Sequence, residues 1–269
     1  MKIGLVGASG RMGQHIAQEI LKNKNLELSY ALVQKTNKDL DKDIGELLKI
    51  KNTGIKLSAD TKELIANSET IIDFSSPENT IHIIMQIIKL NKNIPYIIGT
   101  TGFTPQQSEI IKEASKKLAI IWSANMSVGV NILLGLTKQV AAILGEDFDI
   151  EINEAHHKHK VDSPSGTALA LGAKAAEGRK VDLKKVMVTT RDGIVGARKS
   201  GTIGFSSIRA GDIIGDHTVM FATDGERIEL THKASNRNIF AKGAVQAALW
   251  TKTKSLKPAL YDMQDVLFG

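Results

Sequence analysis

Near its start the chain reads Lys2-Ile3-Gly4-Leu5-Val6-Gly7-Ala8-Ser9-Gly10-Arg11-Met12-Gly13. Residues 2–6 are a short apolar run ending in glycine, the pattern of a buried strand. Residues 11–23 follow with Met12, Ile16, Ile20 and Leu21 at helical spacing. The glycines therefore occupy the first turn between a strand and a helix. Glycine permits a tight turn and lets backbone approach a pyrophosphate. The helix start adds N–H groups and partial positive charge, and Arg11 adds a charged donor. The spacing is Gly-x-x-Gly-x-x-Gly, so position carries the reading more than the motif does. A plain tight turn with close helix packing would use the same glycines. No Gly-Lys-Ser/Thr follows at the spacing of a P-loop.

The same alternation continues. Residues 26–33 read as a second strand and 70–74 as a third, followed by Ser76-Pro77-Glu78 and a helix over 79–90. Pro77 suits a first helical turn. Residues 96–98 are a fourth strand closed by Gly99-Thr100-Thr101-Gly102, 105–117 a helix, and 118–122 a fifth strand. This rhythm predicts a Rossmann-like, doubly wound parallel sheet with helices on both faces. Ligands of such sheets bind at the carboxyl ends of the strands, where residues 74–76, 99–102 and 123–126 fall. The second strand ends Ala31-Leu32-Val33-Gln34-Lys35, without the acid that usually holds the ribose hydroxyls of NAD. Lys35 suits the 2′-phosphate of NADP, or is simply exposed. NADPH is favoured and NADH stays open.

Beyond Val128 the rhythm changes. An apolar helix is expected over 131–144, a strand over 149–155 and a helix over 165–176. Strand-like runs then follow at 186–190, 202–208, 217–222 and 227–232, with Asp224-Gly225 as a hairpin turn. A second α+β domain with a mostly antiparallel sheet is expected over 127–234. Residues 1–126, completed by 235–269, form the dinucleotide-binding domain, with a helix over 239–251 returning to it.

A second constellation is Glu154-Ala155-His156-His157-Lys158-His159-Lys160-Val161-Asp162-Ser163-Pro164-Ser165-Gly166-Thr167. It follows a strand and precedes a helix, so a loop at a sheet edge is expected. A zinc site is disfavoured by the interspersed lysines, and a solvated polar loop is the plain alternative. Acid–base chemistry with anion binding fits better. Histidine titrates near neutrality, lysine is a point charge that also donates protons, and a helix start at Ser165 offers N–H groups to a carboxylate. The set suits a small dicarboxylate that accepts a hydride and a proton.

The stretch from Glu154 to Ala168 resembles the signature loop of the 4-hydroxy-tetrahydrodipicolinate (dihydrodipicolinate) reductase family. Gly7–Gly13, Gly99–Phe103, Ser123–Asn131 and Thr231–Arg237 are similar to that family too, so the resemblance spans nearly the whole chain. It departs at Ser163, where the family usually carries alanine. The resemblance implies NAD(P)H-dependent reduction of the cyclic product of aspartate semialdehyde and pyruvate, with loss of water. His156 would be the proton donor and acceptor and Lys160 the second proton donor. His157, Gly166 and Thr167 would contact substrate. Gly7, Ala8, Ser9, Gly10, Arg11 and Met12 would cradle the pyrophosphate. Gly99, Thr100 and Thr101 would line the nicotinamide side, with Ser123, Ala124, Asn125 and Met126 near the cofactor. The family is usually homotetrameric, joined through the second domain's sheet, whose open edges need covering.

Composition narrows the rest. Of 269 residues 42% are hydrophobic, ample for a buried core. Cysteine is absent, which removes disulfides, thiolate catalysis and a cysteine-dependent semialdehyde dehydrogenase. The net charge of +6 rests on scattered lysines with few aromatics, which fits anionic cofactors and substrates better than nucleic acid. No apolar stretch of about 20 residues suggests a membrane span and the start is unlike a signal peptide, so a cytoplasmic location is expected. Rival readings are a non-catalytic dinucleotide sensor on this fold, a related dehydrogenase such as aspartate dehydrogenase, and a metal-dependent hydrolase.

Overall fold

Every residue of β1 (Lys2–Val6) after Lys2 is buried, as its apolar run requires. The chain continues through α1 (Arg11–Lys22), β2 (Glu27–Leu32), α2 (Ile44–Leu48), β3 (Leu57–Ser58), α3 (Thr61–Ala66), β4 (Thr70–Asp73), α4 (Pro77–Lys89), β5 (Tyr96–Ile98), α5 (Pro105–Ser115) and β6 (Ala119–Trp122). Then come α6 (Val128–Leu144), β7 (Asp149–His156), α7 (Gly166–Arg179), α8 (Leu183–Val186), β8 (Met187–Val188), β9 (Ile203–Arg209), β10 (Asp216–Thr223) and β11 (Glu226–Lys233), with α9 (Asn238–Thr253), β12 (Ala259–Tyr261) and α10 (Met263–Phe268) last. The computed structural model describes residues 1–254 and 256–269. They form two units, Met1–Val128 with Asn238–Gly269, and Gly129–Arg237.

The first unit holds a parallel sheet in the order β12-β6-β5-β4-β1-β2-β3. Strand order reverses between β1 and β4, so the topological switch point lies beside the glycine turn. Strand alternation feeds two cores. Ile3, Leu5, Ile72 and Ile97 bury against α1 and the alanine face of α9. Val6, Ile71, Ile98 and Ile120 bury against α4 and α5. Pro77 takes the first position of α4 as expected; the structure adds a Ser76 cap that accepts from Asn79 N, and a Thr104–Gln107 capping box on α5. The expected elements of this unit are present. The short α2, β3 and α3, and the terminal β12 and α10, add to them.

The second unit has the order β11-β10-β7-β9-β8. The β10–β11 and β10–β7 ladders are antiparallel and carry most of the pairing, while β7–β9 and β8–β9 are parallel. Gly225, at φ 88°, turns the β10–β11 hairpin, with Thr223 opposite Glu226. The run expected as a strand over 186–190 is mostly something else. Asp182 caps a helical turn that ends at Val186, leaving Met187 and Val188 to pair. The histidine loop leaves the end of β7, a central strand, and not a sheet edge. On β7 the residues Ile150, Ile152, Glu154 and His156 are buried and alternate with half-buried ones. One face of one strand thus passes from apolar core to a polar cluster.

Candidate active site

In the first unit the glycine turn performs two separate jobs. Gly7 has φ +77°, and a Cβ there would lie 2.5 Å from the Phe74 carbonyl oxygen. At Gly13 a Cβ would lie 2.1 Å from the Gly7 oxygen, so this glycine seats α1 on the turn. Gly10 is exposed, caps α1 without a side chain, and its N–H closes the turn by donating to the Gly7 carbonyl at 3.0 Å. Ser9 is tied down from both sides: its hydroxyl accepts from Asn37 Nδ2 at 2.8 Å and its carbonyl from Gln14 Nε2 at 2.9 Å. Arg11 is exposed, Met12 half-buried and Ala8 fully buried. A left-handed glycine turn feeding a helix start fits a dinucleotide pyrophosphate, held by backbone N–H groups.

Lys35 is exposed three residues past β2. It lines a cavity of about 550 Å³ with Asp41, Asp60, Lys62 and His82. Two carboxylates from later segments, Asp41 and Asp60, thus line the same cavity as Lys35.

The loops after β4 and β5 are joined by Asp73, a residue the sequence reading passed over. Its fully buried carboxylate accepts from Tyr96 Oη at 2.6 Å, Thr80 Oγ1 at 2.7 Å and Ser75 N at 2.9 Å. Burial raises its pKa above the usual carboxylate range despite these donors. The Thr100 hydroxyl accepts from Ser75 N at 3.0 Å, so its side chain serves the loop. Gly99 is pressed by the Phe74 ring, where a Cβ would stand 2.1 Å from Cζ, and Thr101 is exposed. After β6, Ser123 Oγ donates to the Asn125 carbonyl at 2.8 Å, Ala124 is exposed and Met126 is buried against α9. These residues all gather at the carboxyl ends of neighbouring strands.

In the second unit His156 ends β7 and is 8% exposed. Its Nδ1 lies 2.5 Å from Glu154 Oε2. Arg209 grips the same carboxylate with two bonds, Nη1 to Oε2 at 2.8 Å and Nη2 to Oε1 at 2.7 Å. Burial by itself pushes the Glu154 carboxyl up, but hydrogen bonds from Arg209, Ser207 and His156 outweigh it and bring it down to about 2. His217 stands edge-on to His156, with ring centroids 5.1 Å apart. Lys160 pairs with Asp162 at 2.8 Å and its backbone N–H bonds the His157 carbonyl at 3.1 Å. Ser165 caps α7 by accepting from Ala168 N at 3.1 Å, and its own N–H donates to Glu154 Oε1 at 3.2 Å. Gly166 is exposed with open space at its Cα, and Thr167 is half-buried beside it. His157 is half-buried with no partner on Nδ1 among the described residues. The expected His156, His157, Lys160, Gly166 and Thr167 therefore share one loop and one helix start. Glu154, Arg209 and His217 were not assigned roles from sequence. Glu154 sits inside the quoted cluster, while Arg209 and His217 come from distant strands.

Among the described residues no group of three or more His, Asp or Glu is placed to hold a metal ion, and no helix is long and apolar enough to cross a membrane.

The family models "Dihydrodipicolinate reductase, N-terminus" and "Dihydrodipicolinate reductase, C-terminus" match residues 1–126 and 129–267. The chain belongs to the dihydrodipicolinate reductase family. A 4-hydroxy-tetrahydrodipicolinate reductase of Hahella chejuensis is 47% identical over 99% of this chain and 98% of its own length. One of Agrobacterium fabrum is 46% identical over 99% of this chain and 96% of its own. The fold matches that of a dipicolinate-bound dihydrodipicolinate reductase from Paenisporosarcina sp. TG-14, with TM-score 0.78 at 23% identity over 100% of this chain and 99% of the other. Within a dihydrodipicolinate reductase, the glycine turn and the histidine loop fall in the N-terminal and C-terminal family segments respectively.

Proposed function

We propose that this chain reduces 4-hydroxy-tetrahydrodipicolinate to tetrahydrodipicolinate in lysine and diaminopimelate biosynthesis. Substrate, NAD(P)H and one proton give tetrahydrodipicolinate, NAD(P)⁺ and water. The observation that carries this reading is His156, bonded to an ionised Glu154 and set beside the start of α7.

When bound, the nicotinamide supplies the hydride. Gly7, Ala8, Ser9, Gly10, Arg11 and Met12 would cradle its pyrophosphate: the N–H groups of Gly7, Ala8 and Gly10 bond the Leu32 and Gly7 carbonyls and hold the turn in shape, while the backbone N–H groups of Ser9, Arg11 and Met12 and the Arg11 guanidinium would face the phosphates. Gly99, Thr100, Thr101 and Ser123, Ala124, Asn125 and Met126 would line the rest, with Ala8 and Met126 contributing backbone because their side chains are buried. Lys35 would meet a 2′-phosphate, which favours NADPH. Asp41 and Asp60 in the same cavity suit ribose hydroxyls, which keeps NADH in play.

His156 or Lys160 delivers the proton. Lys160 exchanges Asp162 for a substrate carboxylate, which needs little energy because Asp162 is half exposed. Gly166 and Thr167 hold the other carboxylate at the positive end of α7, and His157 contacts substrate. We assign residues 1–126 with 235–269 to dinucleotide binding and 127–234 to substrate binding and assembly. A homotetramer joined through the second sheet is supported by β11, an edge strand whose residues 226–229 are exposed. A cytoplasmic setting follows from the pathway.

The test is oxidation of NADPH and NADH with substrate made in situ from pyruvate and aspartate semialdehyde. Oxidation that depends on both precursors is expected. No oxidation with either nucleotide would overturn the reading.

A further inference from the structure

Glu154 and His156 lie two residues apart on the same face of β7, and the Glu154 side chain has no exposed surface. Both of its oxygens are supplied with donors. Oε1 accepts from Arg209 Nη2 and Ser165 N, and Oε2 accepts from Arg209 Nη1. A carboxylate so placed offers His156 Nδ1 only a lone pair, so the 2.5 Å contact requires the proton on Nδ1.

We propose that Glu154, clamped by Arg209, is a positioning residue for proton transfer: it holds His156 as the Nδ1–H tautomer and leaves Nε2 as the nitrogen that exchanges the proton. The inference rests on His156 being the acid–base group proposed above. Nε2 faces Gly215, where a Cβ would stand 3.0 Å away, so the glycine leaves that side of the ring uncrowded. Arg209 does more than neutralise. Its Nη2 also donates to the Asp162 carbonyl at 2.6 Å, and Asp162 pairs with Lys160. One guanidinium from β9 thereby fixes both His156 and the Lys160 segment. His217 from β10 stands edge-on to the His156 ring and has His232 opposite it on β11, while Lys160 and Asp162 pair with each other in the loop that follows. None of them bonds Nδ1, so the tautomer is left to Glu154.

The test uses the full chain with ¹⁵N-labelled histidine. Nitrogen shifts, with His156 in its neutral form, are read in the wild type, with His156→Ala used for assignment. The wild type is expected to show Nδ1 protonated and Nε2 bare. Glu154→Gln is expected to lower kcat about 10²-fold, with KM for the substrate within threefold, and to give a mixture of tautomers. A wild-type Nε2–H tautomer would overturn the inference whether or not the variant folds. So would a Glu154→Gln enzyme with kcat within threefold of wild type, or one whose loss lies wholly in KM. Should His156→Ala keep full activity, the failure belongs to the underlying reading and takes the inference with it. An inactive His156→Ala beside a fully active Glu154→Gln removes the inference alone.

Discussion

The Ser165 hydroxyl oxygen lies 3.0 Å from His217 Nε2, and both residues are buried. Ser165 Oγ already accepts from the start of α7, so its own proton is available to Nε2. Burial, helped by the neighbouring His156 ring, holds His217 down from 6.5 to about 4. The sign follows directly. As pH falls below 6.5 the unfolded chain takes up a proton that the folded chain refuses, so stability declines until about pH 4. The loss is on the order of 3 kcal/mol. Urea unfolding at pH 7.5 and pH 4.5 checks it: wild type is expected to lose more stability than His217→Gln, and equal losses would refute the assignment.

Arg209→Met strands a buried carboxylate. Removing one partner of such a pair costs roughly 3–5 kcal/mol. With the clamp in place Glu154 sits at about 2, below its ordinary 4.5, so its contribution is full above pH 4.5 and is lost as pH falls toward 2. Thermal melts at pH 7 are expected to show a large drop for Arg209→Met. A melting temperature within a degree or two of wild type would show that the pair adds little.

His156→Ala and Lys160→Ala are each expected to lower kcat about 10²-fold or more, with nucleotide binding kept. Steady-state kinetics, together with nucleotide titration by fluorescence, separates the two effects. Full turnover in either variant rejects its role.

Lys35→Ala is expected to weaken NADPH by roughly tenfold and NADH little, since an exposed lysine acts on a phosphate as a point charge. Titration of both nucleotides decides it, and equal weakening would reject the contact.

Two glycines of the first turn separate folding from binding. Gly13→Ala drives a methyl into the Gly7 carbonyl and is expected to destabilise the protein by about 1–3 kcal/mol. Gly10→Ala meets the Gly7 carbonyl oxygen at 3.2 Å, a tight contact relieved by a shift of a few tenths of an ångström, so it is expected to destabilise far less than Gly13→Ala and to lose mainly nucleotide affinity. Melts and titrations of the pair, run side by side, test the division; a Gly10→Ala protein with wild-type affinity would place the pyrophosphate elsewhere.

Much of this was readable residue by residue, because its causes are local. A glycine turn between an apolar run and a helical period needs only neighbours a few positions apart, as does the Pro77 helix start. The Glu154–Thr167 run likewise keeps His156, Lys160, Gly166 and Thr167 within one short segment, from the end of β7 to the start of α7. Residues 44–66 and 259–268 fold into elements too short for periodicity to register, so α2, β3, α3, β12 and α10 went unseen. The strand expected at 186–190 failed because the Asp182 cap, a local competitor, bends the chain into a helical turn first.

Residue order along the chain was therefore enough to give the two classes of unit, the glycine turn and the residues of the histidine loop. Which distant groups surround those residues depends on the fold. Arg209 reaches Glu154 across 55 positions, His217 reaches Ser165 across 52, and Asp60 joins Lys35 only when β3 pairs with β2. Buried charges must find partners wherever the fold brings them, and that requirement leaves no periodic trace along the chain.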